Sequence, residues 1–216
     1  MKYGESTFDI LYLLFAILSG LWLLHRARNS NEKRMGFAVL ILGCGDAFHL
    51  IPRVLNYFVE VDFTAALGVG KLITSLTMTA FYVLLYHIGL RYYGLRGEPR
   101  TSHAVWALAA LRFIVCLLPQ NGWLRNESGV LWGVLRNLPF AALGAMVAAL
   151  YRTQRGRTRR FRWMWLYIVL SFLFYLPVAV GAGLLPILGM LMLPKTVCYV
   201  LLIAAFIGAV GKDEAR

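Results

Sequence analysis

Seven long apolar runs alternate with short polar stretches along this chain of 216 residues. The runs cover residues 8–24, 35–58, 68–90, 103–119, 130–151, 163–185 and 187–210. A helix that crosses a bilayer needs about 20 mainly apolar residues, and each run meets that length to within a few residues. The runs are too long for strands and lack the strict alternation that a half-buried strand shows. The pattern predicts an all-α membrane protein, a seven-transmembrane-helix bundle forming a single transmembrane domain over residues 1–216. The first run is expected to be a retained span, because residues 1–7 lack the basic start of a signal peptide and no small-residue cleavage site follows.

Composition supports this reading. The chain is 60% hydrophobic and 15% charged, against roughly 45–50% and about 25% in soluble domains. The net charge is nonetheless +12, from 22 Lys and Arg against 10 Asp and Glu. A soluble nucleic-acid binder of that basicity would carry more charge and less apolar surface, so no nucleic-acid partner is expected. Most of the cations fall in alternate loops: Arg26, Arg28, Lys33 and Arg34; Arg91, Arg96 and Arg100; Arg152, Arg155, Arg157, Arg159, Arg160 and Arg162; and Lys212 and Arg216 in the tail. The other side has only Lys2 and Arg125 among the cations, with Glu5, Asp9, Glu60, Asp62 and Glu127. By the positive-inside rule the N-terminus is expected outside and the C-terminus in the cytoplasm, in a bacterial inner (plasma) membrane. The basic loops are expected to meet membrane lipids through their anionic headgroups. Asn126-Glu127-Ser128 is a glycosylation sequon that matters only in a eukaryotic secretory pathway.

Five cations remain inside the spans: Arg53, Lys71, Arg112, Arg136 and Lys195, with Asp46 read as the sole acid deep in a span. A cation at mid-bilayer costs about 2.5–3.5 kcal/mol on insertion scales, so such residues face a bundle interior or a wet cavity. Counting 1.5 Å per residue places all five in the outer half. Pro52, Pro139, Pro177 and Pro194 are expected to kink their helices at the same depth, each freeing a carbonyl four residues back. The densest group is on span two, where Asp46, His49 and Arg53 are spaced i, i+3, i+7 and so share one helical face. Gly43 and Gly45 below them allow close helix approach. Lys71, Thr74, Ser75, Met78 and Tyr82 share a side of span three; Tyr167, Ser171 and Tyr175 recur every four residues on span six; Lys195, Cys198 and Tyr199 share a side of span seven. Such stripes also serve as hydrogen-bonding glue between spans.

No metal is expected, since His25, His87 and His103 lie near the cytoplasmic edge and cannot meet His49. This separates the chain from the zinc-dependent seven-span ceramidases and progestin-receptor-like proteins. Cys44, Cys116 and Cys198 fall in apolar runs without a metal or disulfide spacing and read as small core residues. Tyr82-Val83-Leu84-Leu85 recurs as Tyr199-Val200-Leu201-Leu202, a repeat of the kind that duplicated transporter folds carry.

Four functions fit these residues. The favoured one is a receptor or transporter that binds a small anionic ligand or lipid headgroup in an outward-facing basic cavity lined by Asp46, His49, Arg53, Lys71, Arg112, Arg136, Tyr175, Lys195 and Tyr199. The excess of +4 inside the spans asks for a counter-charge, and arginines suit carboxylate or phosphate. The second is an intramembrane lipid hydrolase or transferase in which Asp46 orients His49 as general base. In the third, seven spans, Lys195 in span seven, Tyr175-Leu176-Pro177 and Gly181-Ala182-Gly183 resemble the microbial rhodopsins. That resemblance implies retinal on Lys195; the departures are a span three with no acid and no Trp–Thr–Pro pattern, and a span seven with no acid before the lysine. The last is a structural or assembly subunit. No cofactor is expected beyond the retinal of the third reading.

Overall fold

A computed structural model describes residues 2–181 and 185–211. Its helices are α1 (Lys2–Arg26), α2 (Ser30–Phe58), α3 (Thr64–Tyr92), α4 (Pro99–Leu117), α5 (Val130–Thr153), α6 (Met164–Gly181) and α7 (Met192–Ala209). Short 3₁₀ turns span Pro119–Asn121, Trp123–Arg125 and Pro186–Leu191. Among the described residues there is no strand, and seven helices are long and apolar enough to cross a membrane. The protein is thus a polytopic helical bundle of the kind integral membrane proteins form. Ala182, Gly183, Lys212 and Arg216, which entered the sequence reading, lie outside the described residues.

Successive helices pack against one another, and α7 returns to α1 to close the ring. Helix α3 also touches α5, which makes it the most central element. The core is aromatic: Tyr82 of α3 meets Phe140 of α5 and Phe172 of α6 edge-on, at 5.1 and 5.2 Å between ring centroids. Edge-to-face packing suits the ring quadrupoles. Two tyrosine hydroxyls in this core are paired, with Tyr82 and Ser171 hydroxyls 3.1 Å apart and the Tyr151 hydroxyl donating to the Leu85 carbonyl at 3.0 Å.

Local chemistry sets the turns. The Asn29 side chain accepts from the Asn31 and Glu32 N–H groups and caps α2, while the Glu32 carboxylate accepts the Arg28 N–H. These contacts satisfy donors that a helix start leaves open. Pro99 opens α4, where a missing N–H is harmless. In the loop before α3, hydrogen bonds from Thr64, by its side chain and its N–H, hold the Asp62 carboxyl below the usual carboxylate range.

Three expectations change. Span seven runs over Ile187–Ala209, but it opens on a 3₁₀ segment, residues 186–191, and α7 begins at Met192. Pro194 therefore sits in the first turn of α7 and kinks nothing, whereas Pro52, Pro139 and Pro177 lie inside helices. Span four ends at Leu117 because Pro119 starts a 3₁₀ turn. Cys116 and Cys198 are buried, but Cys44 is exposed on the outer face of α2 and is not a core residue.

Candidate functional site

The polar residues of the spans gather at one end of the bundle, where α1, α3, α5 and α7 begin and α2 and α6 finish. The face of α2 that carries Asp46, His49 and Arg53 turns towards α1 and α7. Tyr12 of α1 donates to Asp46 Oδ2 at 2.7 Å. Arg53 lies 3.3 Å from Glu5 and 3.9 Å from Asp9, and Tyr57 donates to Glu5 at 2.9 Å. Asp46 is therefore not the sole acid at depth. Asp9 is only 5% exposed, and α1 starts at Lys2 rather than at residue 8, because Arg53 and Tyr57 shelter its first polar turns. Glu5 and Asp9 thus join Asp46 as carboxylates at this end of the bundle, both placed against Arg53.

Between α2, α3, α5, α6 and α7 lies a cavity of about 270 Å³. His49, Lys71, Arg136, Tyr175 and Lys195 line it, with Thr74, Ser75 and the apolar Val178, Ala179 and Met192. Trp123, Asn126 and Ser128 form its wall from the α4–α5 loop. Among the described residues that line it, none is a carboxylate. Arg136 is held by this loop: its Nη1 donates to Asn121 Oδ1 at 3.1 Å and to Ser128 Oγ at 2.8 Å, and its guanidinium lies 4.8 Å from the Trp123 ring centroid. Lys71 donates to Asn126 Oδ1 at 2.7 Å. Tyr175 donates to Asn137 Oδ1 at 2.8 Å, and the Lys195 ammonium lies 4.8 Å from the Tyr175 ring and 5.4 Å from the Tyr199 ring.

A smaller cavity of about 40 Å³ adjoins it, lined by Asp9, Asp46, His49, Arg53, Thr74, Lys195 and Thr196 among others. His49, Thr74, Met192 and Lys195 belong to both. Seven of the nine candidate residues therefore reach one cavity or the other. Arg112 and Tyr199 reach neither. Arg112 is 1% exposed, with its guanidinium 3.3 Å from the Phe140 ring centroid and with Nε and Nη1 unpartnered among the described residues. Tyr199 stands behind Lys195 and meets Phe81 edge-on.

Asp46 is engaged by Tyr12, and His49 Nδ1 meets no hydrogen-bond partner among the described residues. No group of three His, Cys, Asp or Glu side chains is placed to hold a metal among those residues. His87 belongs to the far end, its ring 5.9 Å from that of Trp106.

Sequence reasoning missed Tyr12 and the α4–α5 loop. The loop's signal was present in Asn121, Gly122, Trp123, Asn126 and Ser128, a run of turn residues around one indole. Gly122 and Asn126 take left-handed backbone at φ 62° and 55°, which glycine and asparagine tolerate best. The sequon residues Asn126 and Ser128 are thus wall residues that hold Lys71 and Arg136.

Fold and site together define a polytopic helical bundle with a basic cavity at one end. No protein-family model matches the chain, and neither does any curated protein or solved structure.

Proposed function

We propose that this protein is a receptor or transporter that binds a small anion, or the anionic headgroup of a lipid, in the cavity shared by Lys71, Arg136 and Lys195. One observation carries the reading: three cations converge on a cavity whose lining, among the described residues, includes no carboxylate. Cations brought together in a low-dielectric setting repel one another, and an anion among them relieves that cost. Arg136 is already oriented by Trp123, Asn121 and Ser128, and a guanidinium so fixed loses little freedom when it engages a planar or tetrahedral oxyanion. At about 270 Å³, the cavity is just below the roughly 300–1,000 Å³ of ordinary ligand pockets, which favours a ligand of few atoms or a headgroup alone. The cation-rich loops at the other end of the bundle argue for a cytoplasmic location of that end, and so for a cavity that opens outward. A hydrolase built on Asp46 and His49 is less well supported, since Asp46 is engaged by Tyr12.

The test is calorimetric titration of the purified protein with sulfate and with methanesulfonate, and mass spectrometry of phosphatidylglycerol retained by the protein from mixed-lipid nanodiscs. The first arm reports a free anion and the second a headgroup. Arg136→Gln is expected to weaken whichever binds by roughly tenfold or more, as loss of a charge-assisted hydrogen bond worth about 1.5–3 kcal/mol requires. Full affinity in Arg136→Gln overturns the proposal.

A further inference from the structure

Lys195 is the lysine among the four residues, with His49, Thr74 and Met192, that line both cavities. Its ammonium lines the basic cavity together with Lys71 and Arg136, and it also lines the small cavity that contains Asp46. Both residues are withdrawn from solvent, Lys195 at 7% and Asp46 at 9% exposure. Asp46 is faced by Tyr12 and Asp9 from α1, by His49 and Arg53 from α2, by Thr74 from α3 and by Lys195 and Thr196 from α7. Arg53 is already committed to Glu5 and Asp9. Tyr12 supplies a hydrogen bond but no charge. Among these groups, Lys195 is the cation left to balance the Asp46 carboxylate.

Resting on the anion-binding reading above, we propose that Lys195 couples occupation of the basic cavity to protonation of Asp46, so that one proton is bound with each monovalent anion. In the empty protein the ammonium and the carboxylate compensate one another across the small cavity. An anion that enters the basic cavity takes a share of the same ammonium and adds a negative charge to the surroundings of Asp46. A carboxylate left without its counter-charge at membrane depth is costly. It relieves that cost by accepting a proton from solvent hydronium on the oxygen that Tyr12 does not engage. A single O–H bond forms, and hydronium becomes water. The cavity pair gains one negative and one positive charge, so loading is electroneutral. A transporter so built would move the anion together with a proton.

The experiment titrates the detergent-purified protein with methanesulfonate, which does not ionise near neutral pH, in buffers of different ionisation enthalpy and across a pH series. Retention of phosphatidylglycerol is measured over the same series. The expected result is uptake of about one proton per anion, with Kd rising about tenfold per pH unit wherever Asp46 is ionised in the free protein and protonated in the anion-loaded one. Asp46→Asn is expected to keep the binding and lose both the proton uptake and the pH slope. Asp46→Ser replaces it if the first variant does not fold. Binding without proton uptake, or uptake that persists in the Asp46 variants, overturns the coupling and leaves the anion site standing. Absence of binding by both the anion and the lipid in the wild-type protein overturns the anion site, and the coupling with it.

Discussion

Arg53 and Arg112 are both arginines inside a span, and their surroundings differ in a way that predicts opposite mutational signs. Arg53 bridges Glu5 and Asp9 and so ties the end of α2 to the start of α1. Removing it leaves two carboxylates close together with their counter-ion gone. Breaking a fully buried pair in this way costs about 3–5 kcal/mol; with Arg53 24% exposed and Glu5 19% exposed, solvent screening reduces the expected loss for Arg53→Gln to about 1–3 kcal/mol. Among the described residues Arg112 pairs with no carboxylate; it meets the face of Phe140 and the Cys116 side chain, and its Nε and Nη1 are unpartnered. Its cation–π contact offsets part of the cost of burying a charge. Arg112→Met, of similar reach, is accordingly expected to be neutral or to stabilise by about 1–4 kcal/mol. Thermal unfolding of the two variants in one detergent checks both signs. The α2 stripe of Asp46, His49 and Arg53 was legible from spacing alone, because a helical period fixes which side chains share a face. Their partners were not: whether Tyr12 and Asp9 meet that face depends on how α1 rotates against α2, and no period within α1 encodes it.

At the scale of elements, the site depends on how closely α2 and α3 approach. Gly45 of α2 faces Thr77, and Gly70 of α3 faces the Phe48 carbonyl and the His49 Cα; a Cβ at either position would collide with those atoms. Thr74 uses the same closeness to donate to the Gly45 carbonyl at 3.0 Å. At Gly70 the obstruction is backbone, which cannot rotate away. Gly70→Ala is therefore expected to destabilise by roughly 1–3 kcal/mol, the usual range for an overpacked contact. It is also expected to weaken binding, because the turn it displaces carries His49. Unfolding and sulfate titration of one variant read both effects. Element positions were legible wherever a run was long and apolar. The exception is instructive: residues 185–191 are as apolar as any helix, but Pro186 and Gly189 allow a 3₁₀ segment there. Hydropathy reports what a segment avoids and not which helix it forms. The α4–α5 loop hid its role for a related reason, since the Asn, Gly and Ser that mark a turn are the same residues that hold Arg136 and Lys71.

For the whole molecule the two ends differ in charge and in chemistry. One end gathers the cavities, the ion pairs of α1 and α2 and the acids Glu60 and Asp62; the other carries the loops with Arg28, Lys33, Arg96, Arg155 and Arg159. Arginines at this second end lie over indoles, Arg26 on Trp22 at 5.9 Å, Arg152 on Trp165 at 5.5 Å and Arg162 on Trp163 at 5.5 Å. Tryptophan and arginine together suit the headgroup layer, where one side of each residue is apolar and the other wet. With an anionic inner leaflet the cation-rich end is expected in the cytoplasm. In a variant free of Cys44, the exposed native thiol, a cysteine placed at Glu60 is expected to react with a membrane-impermeant maleimide in intact cells. One placed at Arg159 is expected to react only after lysis. The reverse pattern would put the basic cavity on the cytoplasmic side, and its ligand would then be an intracellular anion or an inner-leaflet headgroup. Proton coupling through Asp46 would survive that inversion, since it depends on the contact between the two cavities and not on which way they face.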